Sequence, residues 1–260
     1  MKLKLLVPQW HYSMLLDDER VGIFKEAIER IVKEDDVVYD LGTGSGILAM
    51  IAARKAKKVY AVELDPITAT YAKKNVKNNN FDNIEVIEAD AIEYNFKEKA
   101  DVVVAEMLDT ALITEPQVKV INSILKRGLL KENGKIIPEE AYNTAQIVES
   151  RLGHIYYDEE MESRPISDEI LYSTINFYEI NKEDVSYTLE FEVFENCENP
   201  ALRLATYTKL TDGLIAGNTP MLNPMLAIPL DKPIKKGKVK VKLSYKMGGD
   251  LESIKVSVIQ

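Results

Sequence analysis

The stretch Val37-Val38-Tyr39-Asp40-Leu41-Gly42-Thr43-Gly44-Ser45-Gly46-Ile47-Leu48 constrains the fold more than any other part of the chain. A short apolar run rich in Val and Tyr predicts a buried strand, and Ile47 to Ala56 predicts the helix after it. Between them three glycines alternate, where the backbone must turn sharply and admit a ligand at close range. A strand–glycine loop–helix unit places backbone N–H groups and the positive end of a helix at the C-terminal edge of a parallel sheet.

The glycine spacing is G-x-G-x-G, not the G-x-G-x-x-G of dinucleotide sites, and Asp40 stands two residues before it. A carboxylate there repels a pyrophosphate but suits a ligand carrying an ammonium or sulfonium group. That weighs against the reading as an NAD-dependent oxidoreductase. The next strand, Lys58 to Leu64, ends in Glu63, placed to take two ribose hydroxyls. A third, Ile84 to Asp90, ends in Asp90, placed to accept from an adenine amino group. Three acids at successive strand ends can also cap loops. As a set they resemble the nucleotide-binding motifs of the class I S-adenosylmethionine-dependent methyltransferases, which implies that cofactor and contacts from Asp40, Gly42, Thr43, Gly44, Glu63, Leu64, Asp90 and Ala91.

The chain is long enough for one substantial core and a smaller second one. At 46% hydrophobic and 29% charged residues it reads as soluble and globular. It shows no signal-peptide pattern and no apolar run of spanning length, and its lone Cys197 excludes an internal disulfide, so the cytoplasm is the expected location. With two histidines, His11 and His154, no metal site is expected. Residues 1–137 carry a net charge of −2 and residues 138–260 one of −7. That balance disfavours extended nucleic-acid binding and is compatible with a basic protein partner or simply with solubility.

Residues 1–9 read as an extended lead-in, and Asp17 to Lys33 as an amphipathic helix. Helices are also expected at 66–77, with Pro66 in its first turn, and at 116–129. Asp101 to Ala105 predicts a central fourth strand; Gly134 predicts a turn, and Lys135-Ile136-Ile137-Pro138 begins a fifth strand. The order is that of an α/β, Rossmann-like doubly wound sheet over residues 1–139. Beyond Pro138 the pattern alternates at period two, in 173–180, 186–194, 202–210, 238–245 and 253–259. Residues 140–260 therefore read as a smaller antiparallel β module on the substrate side.

The fourth strand runs into Glu106, with Glu115 nine residues on. Two carboxylates folding back across such a loop offer a planar guanidinium two forks of charge-assisted hydrogen bonds. At this point His11-Tyr12-Ser13-Met14-Leu15-Leu16-Asp17-Asp18-Glu19-Arg20 resembles the H-x-x-M-L-x-D-x-x-R segment of protein arginine methyltransferases. Glu106 and Glu115 match the ends of that family's double-glutamate loop, and Gly134 to Pro138 its fifth-strand entry. The resemblance implies that Arg20 pairs with the cofactor's carboxylate, that His11 and Met14 close over the cofactor, and that Glu106 and Glu115 are the catalytic clamp. From the residues alone, Arg20 also suits a surface ion pair, His11 a packed position, and Glu115 a cap on the following helix.

The chain also departs from that family. The family's loop begins Glu-Trp-Met-Gly-Tyr, where this chain has Glu106-Met107-Leu108-Asp109-Thr110. Its Thr-His-Trp loop has no counterpart beyond Asn218 to Met225, and Ile155 to Pro165 stands where its dimerisation arm inserts. The expected activity is methyl transfer to a guanidino or arginine nitrogen of a protein. An RNA or small-molecule acceptor, or a non-catalytic cofactor-binding module, are the other readings.

Overall fold

The computed structural model describes residues 3–150, 152–158 and 163–259. Residues 3–8 run extended, and Asn75 and Asn79 clip them in place, each through its side-chain amide: Asn75 to both backbone groups of Leu6 and Asn79 to those of Lys4. Helix α1 (Gln9–Leu16) follows this stretch. It leads directly into α2 (Asp18–Ile31), whose N-cap Asp17 accepts from Arg20 N, the acid-start geometry that the sequence announces.

Five parallel strands follow: β1 (Val37–Leu41), β2 (Lys58–Glu63), β3 (Ile84–Glu88), β4 (Ala100–Ala105) and β5 (Leu130–Ile137). They are separated by α3 (Ile47–Ala52), α4 (Pro66–Asn78) and α5 (Gln117–Lys126). The spatial order β3-β2-β1-β4-β5 reverses direction between β1 and β4. That switch point is where open parallel sheets bind ligands. Strand β1 lies between β2 and β4 and is buried along its whole length, which is why it is apolar apart from Asp40. Helix α3 is shorter than expected, with Ala53 to Lys55 continuing as turns. Strand β5 starts at Leu130, not at Lys135. Gly134 lies inside it, at a bulge where the β4–β5 register shifts and Leu130 fills the space a side chain would need.

From Glu140 onward the chain is β-structure. Strands β6 (Glu140–Glu149), β7 (Tyr156–Tyr157), β8 (Arg164–Pro165), β9 (Ile170–Asn176), β10 (Asp184–Val193), β11 (Pro200–Thr211), β12 (Leu214–Ala216), β13 (Leu226–Pro229), β14 (Gly237–Lys246) and β15 (Lys255–Val258) form two antiparallel sheets. The larger centres on the long β6–β11 pair, and the smaller has the order β10-β14-β15. The expected strand at 173–180 occurs as β9, three residues earlier, because Phe177 to Ile180 turn away. Part of the segment Ile155 to Pro165 lies outside the described residues. Among the described residues no helix is long and apolar enough to cross a membrane.

Candidate active site

Gly42, Gly44 and Gly46 all adopt positive φ, +71°, +55° and +81°, so the alternating glycines serve the turn they predict. A side chain at Gly42 would lie 2.7 Å from Cγ of Met107, and one at Gly44 would lie 3.4 Å from the His11 ring. The loop is thus roofed by α1 on one side and by the segment after β4 on the other. Glu63 ties it down: its Oε2 accepts from Gly44 N at 2.9 Å and its Oε1 from Asp65 N at 3.0 Å.

Asp40 lies beneath this loop, 2% exposed, and takes the Thr43 hydroxyl and the Ala49 backbone N–H. Burial pushes its carboxyl up to about 6. The sequence places this acid beside a ligand; the structure spends it on the loop and on the start of α3, because β1 is covered on every side. Leu64, 67% exposed, and Asp90 and Ala91 stand past the ends of β2 and β3 on the same sheet edge, outside the cavity wall. Asp90 accepts from Ile92 N.

The cavity holds about 540 Å³. His11, Met14, Arg20, Gly42, Thr43, Gly44 and Glu63 line it together with Glu106 and Glu115. Arg20 forms a buried ion pair with Glu106, their side chains 5% and 8% exposed. Its second terminal nitrogen donates to Met14 O at 2.8 Å. Its Nε is one of three buried side-chain polar atoms without a hydrogen-bond partner among the described residues. This is a buried pair at the cavity, not the surface pair that the flanking acids allow. Desolvation pushes Glu106 up to about 7 against the pull of Arg20, with the charge of Glu115 adding to it. Glu115, at the cavity mouth, is also raised, by partial burial and then by Glu63. For His11 burial outweighs the attraction of Glu63 and Asp65, so its pKa is lowered.

Three features of the site carry little sequence signal. Asp109 gathers the Thr114 N–H at 2.8 Å, the Thr114 hydroxyl at 2.9 Å and the Glu115 N–H at 3.3 Å. Tyr157 of β7 reaches the cavity. The segment Asn218 to Met225 supplies Pro220, Met221 and Pro224 to the wall, and Thr219 Oγ1 donates to the N-cap Asp17 of α2. Among the described residues no cluster of three His, Cys, Asp or Glu side chains could hold a metal ion.

Comparison with known proteins matches residues 24–162 to the family described as ribosomal protein L11 methyltransferase (PrmA). An uncharacterized protein of Methanocaldococcus jannaschii is 63% identical over 258 residues, 99% of this chain and 100% of that one. A ribosomal protein L11 methyltransferase of Clostridium perfringens is 43% identical over 93 residues, 35% of this chain and 29% of that one. Among solved structures, a chain of the Trypanosoma brucei PRMT1 enzyme–prozyme heterotetrameric complex with AdoHcy superposes with a TM-score of 0.77. It does so at 19% identity, over 90% of this chain and 87% of that one, a similarity of fold.

Proposed function

We propose, for a chain that belongs to the ribosomal protein L11 methyltransferase (PrmA) family and is an S-adenosylmethionine-dependent methyltransferase, that the methyl acceptor is a guanidino nitrogen of protein arginine. The observation that carries this reading is that Glu106 and Glu115 line the same cavity as the glycine loop. Glu106 is nearly buried and pushed up to about 7, Glu115 is the more exposed of the two, and both gain from a cation placed between them. A planar guanidinium satisfies both as forks, and the apolar collar of Tyr157, Pro220, Met221 and Pro224 suits the aliphatic stem of a side chain.

The residues present fit the cofactor. Gly42 leaves the space that a side chain would take from Met107, and Arg20 Nε lacks a partner in the wall where a carboxylate would be received. Arg20, His11 and Met14 would hold its amino-acid end, Gly42, Thr43, Gly44 and Glu63 its ribose, and Leu64, Asp90 and Ala91 its base. Asp40 would act from below by shaping the loop. When bound, the cofactor supplies a methyl group on a sulfonium centre. Glu106 and Glu115 would hold the guanidinium and fix the orientation of its reacting nitrogen, and such orientation supplies much of the catalysis. The proton shed by the methylated nitrogen passes to a carboxylate oxygen of Glu115, whose proton affinity partial burial has raised. No metal takes part in this scheme, and we place the enzyme in the cytoplasm, in keeping with a single cysteine.

A protein acceptor is also what the names of the relatives suggest, since one is named for a ribosomal protein. Methyl-labelled cofactor, offered with arginine–glycine-repeat peptides, cellular RNA and a small-molecule extract in parallel, tests the reading. Label is expected in the peptides. Label confined to RNA or to small molecules contradicts it.

A further inference from the structure

We propose that Asp109 is the positioning residue of the acceptor site: its carboxylate fixes the path of the chain between Glu106 and Glu115 so that Glu115 faces the cavity. The inference rests on the reading of Glu115 as an acceptor carboxylate. It adds a residue for which the resembled loop carries glycine, so no role for it comes with the resemblance.

The need for such a residue lies in the backbone. Between the two glutamates, Ala111 and Leu112 both adopt left-handed conformations, φ +58° and +59°, which L-residues disfavour. A segment of this kind does not hold its course unaided; it must be over-determined by its surroundings. On its outer side the β module grips it. Ala111 N donates to Thr206 Oγ1 at 2.7 Å, Thr110 Oγ1 donates to Pro224 O at 2.6 Å, and Leu112 O and Ile113 O accept from Gly248 N and Gly249 N, both at 2.9 Å. All of these grips end at Ile113. In the remaining step to Glu115 both amides, Thr114 N and Glu115 N, donate to Asp109, as does Thr114 Oγ1.

Asp109 can do this because it is 7% exposed and its oxygens are engaged by the loop. A hydrogen bond to an ionised carboxylate is stronger than a neutral one, and two backbone N–H groups and one hydroxyl converge here. The same engagement leaves Asp109 little capacity to take the substrate itself, which separates its role from that of Glu115. Burial pushes its carboxyl up to about 6 in spite of those donors.

The test compares Asp109→Ala with Asp109→Asn in the full chain. In Asp109→Ala, hydrogen exchange at the Thr114 and Glu115 amides is expected to accelerate by about tenfold or more while Gly44 keeps its protection. S-adenosylhomocysteine affinity, by calorimetry, stays within about twofold, because no donor-side residue is touched. With an arginine–glycine-repeat peptide, kcat/KM falls by about a hundredfold, chiefly through KM, and Asp109→Asn, which keeps an acceptor oxygen, recovers at least about tenfold of that. Thr114→Val serves should Asp109→Ala not fold; it removes one of the three donors and is expected to speed Glu115 exchange about threefold. Unchanged exchange at Thr114 and Glu115 overturns the proposal. So does a parallel loss of cofactor affinity, melting temperature and turnover in Asp109→Ala and Asp109→Asn alike, the signature of a purely structural residue. If the wild type leaves the peptide unmethylated, the guanidino reading fails, while the exchange result still decides the role of Asp109.

Discussion

The donor wall and the acceptor wall of the cavity are closed over very different spans of chain. Around the glycine loop the bonds are short in sequence: Thr43 reaches Asp40 three residues away, and Gly44 reaches Glu63 nineteen away. Around the Glu106–Glu115 loop they are long: Ala111 meets Thr206 across 95 residues and Thr110 meets Pro224 across 114. One wall is therefore a property of three adjacent strand ends, and the other of how the β module settles against them. The two walls also treat their acids differently. Glu63 is anchored by backbone N–H groups, Glu106 is bound to a buried arginine, and Glu115 has no ion-pair partner among the described residues. The Arg20–Glu106 pair joins the two walls; substitutions away from it on one wall are expected to leave the other nearly untouched, and that separation can be broken by experiment.

The largest effect is expected from comparing the two glutamates. Glu106→Gln leaves Arg20 buried without its counter-ion and should lower unfolding free energy by about 3–5 kcal/mol, read from urea denaturation, in addition to abolishing turnover. Glu115→Gln breaks no such pair, and its stability should stay within about 0.5 kcal/mol of wild type. Its kcat/KM should still fall by about 10²–10³, with S-adenosylhomocysteine affinity nearly unchanged. Equal destabilisation by the two changes would mean that the glutamates are not divided between a structural pair and a free acceptor.

On the donor wall, Gly42→Ala imposes a left-handed alanine and presses on Met107. The backbone term alone is about 1–2 kcal/mol, and an effect of that size on the loop corresponds to about a tenfold loss of S-adenosylhomocysteine affinity in calorimetry. Peptide KM should move little, which keeps the comparison intact.

Proton linkage sharpens it further. Burial raises Glu106 to about 7 and Asp40 and Asp109 to about 6, so the folded chain keeps these protons to a higher pH than the unfolded chain does. Their contribution to stability is full below the ordinary carboxylate range and is lost as pH rises from about 4 to about 7. Denaturation midpoints measured across that range should decline, and the decline should be smaller in Glu106→Gln. A guanidinium holds Glu106 ionised, so binding of ethylguanidinium should strengthen over the same interval, the opposite sign. The smallest effect is expected at Thr219→Val, which removes the bond from the β module to Asp17 and should cost about 1 kcal/mol in denaturation.

This division also explains what could be read before the fold was known. Strand β1, the positive-φ glycines, Glu63 beside the loop and the presence of Glu106 and Glu115 at one cavity follow from local pattern and from spacing along one strand end. Strand β6 escapes the period-two pattern because it is largely buried, held between β11 and the edge strands β8 and β9. Gly134 is misleading for a related reason: a bulge and a turn need the same residue. Asp40 stands at the expected strand end, and its burial and its bond to Thr43 are not visible in its sequence neighbours. Asp109, Tyr157 and Thr206 carry no signal because their partners are chosen only when distant segments meet.

The central claim is that Glu106 and Glu115 together receive one planar cation, and the position of the transferred methyl group tests it most directly. An arginine–glycine-repeat peptide incubated with labelled S-adenosylmethionine, then hydrolysed to amino acids and analysed by mass spectrometry, should yield methylarginine labelled on a guanidino nitrogen. The same treatment with Glu115→Gln should yield none. Label recovered on lysine, on an α-amino group or outside the peptide altogether, or methylarginine formed equally well by Glu115→Gln, would contradict the account.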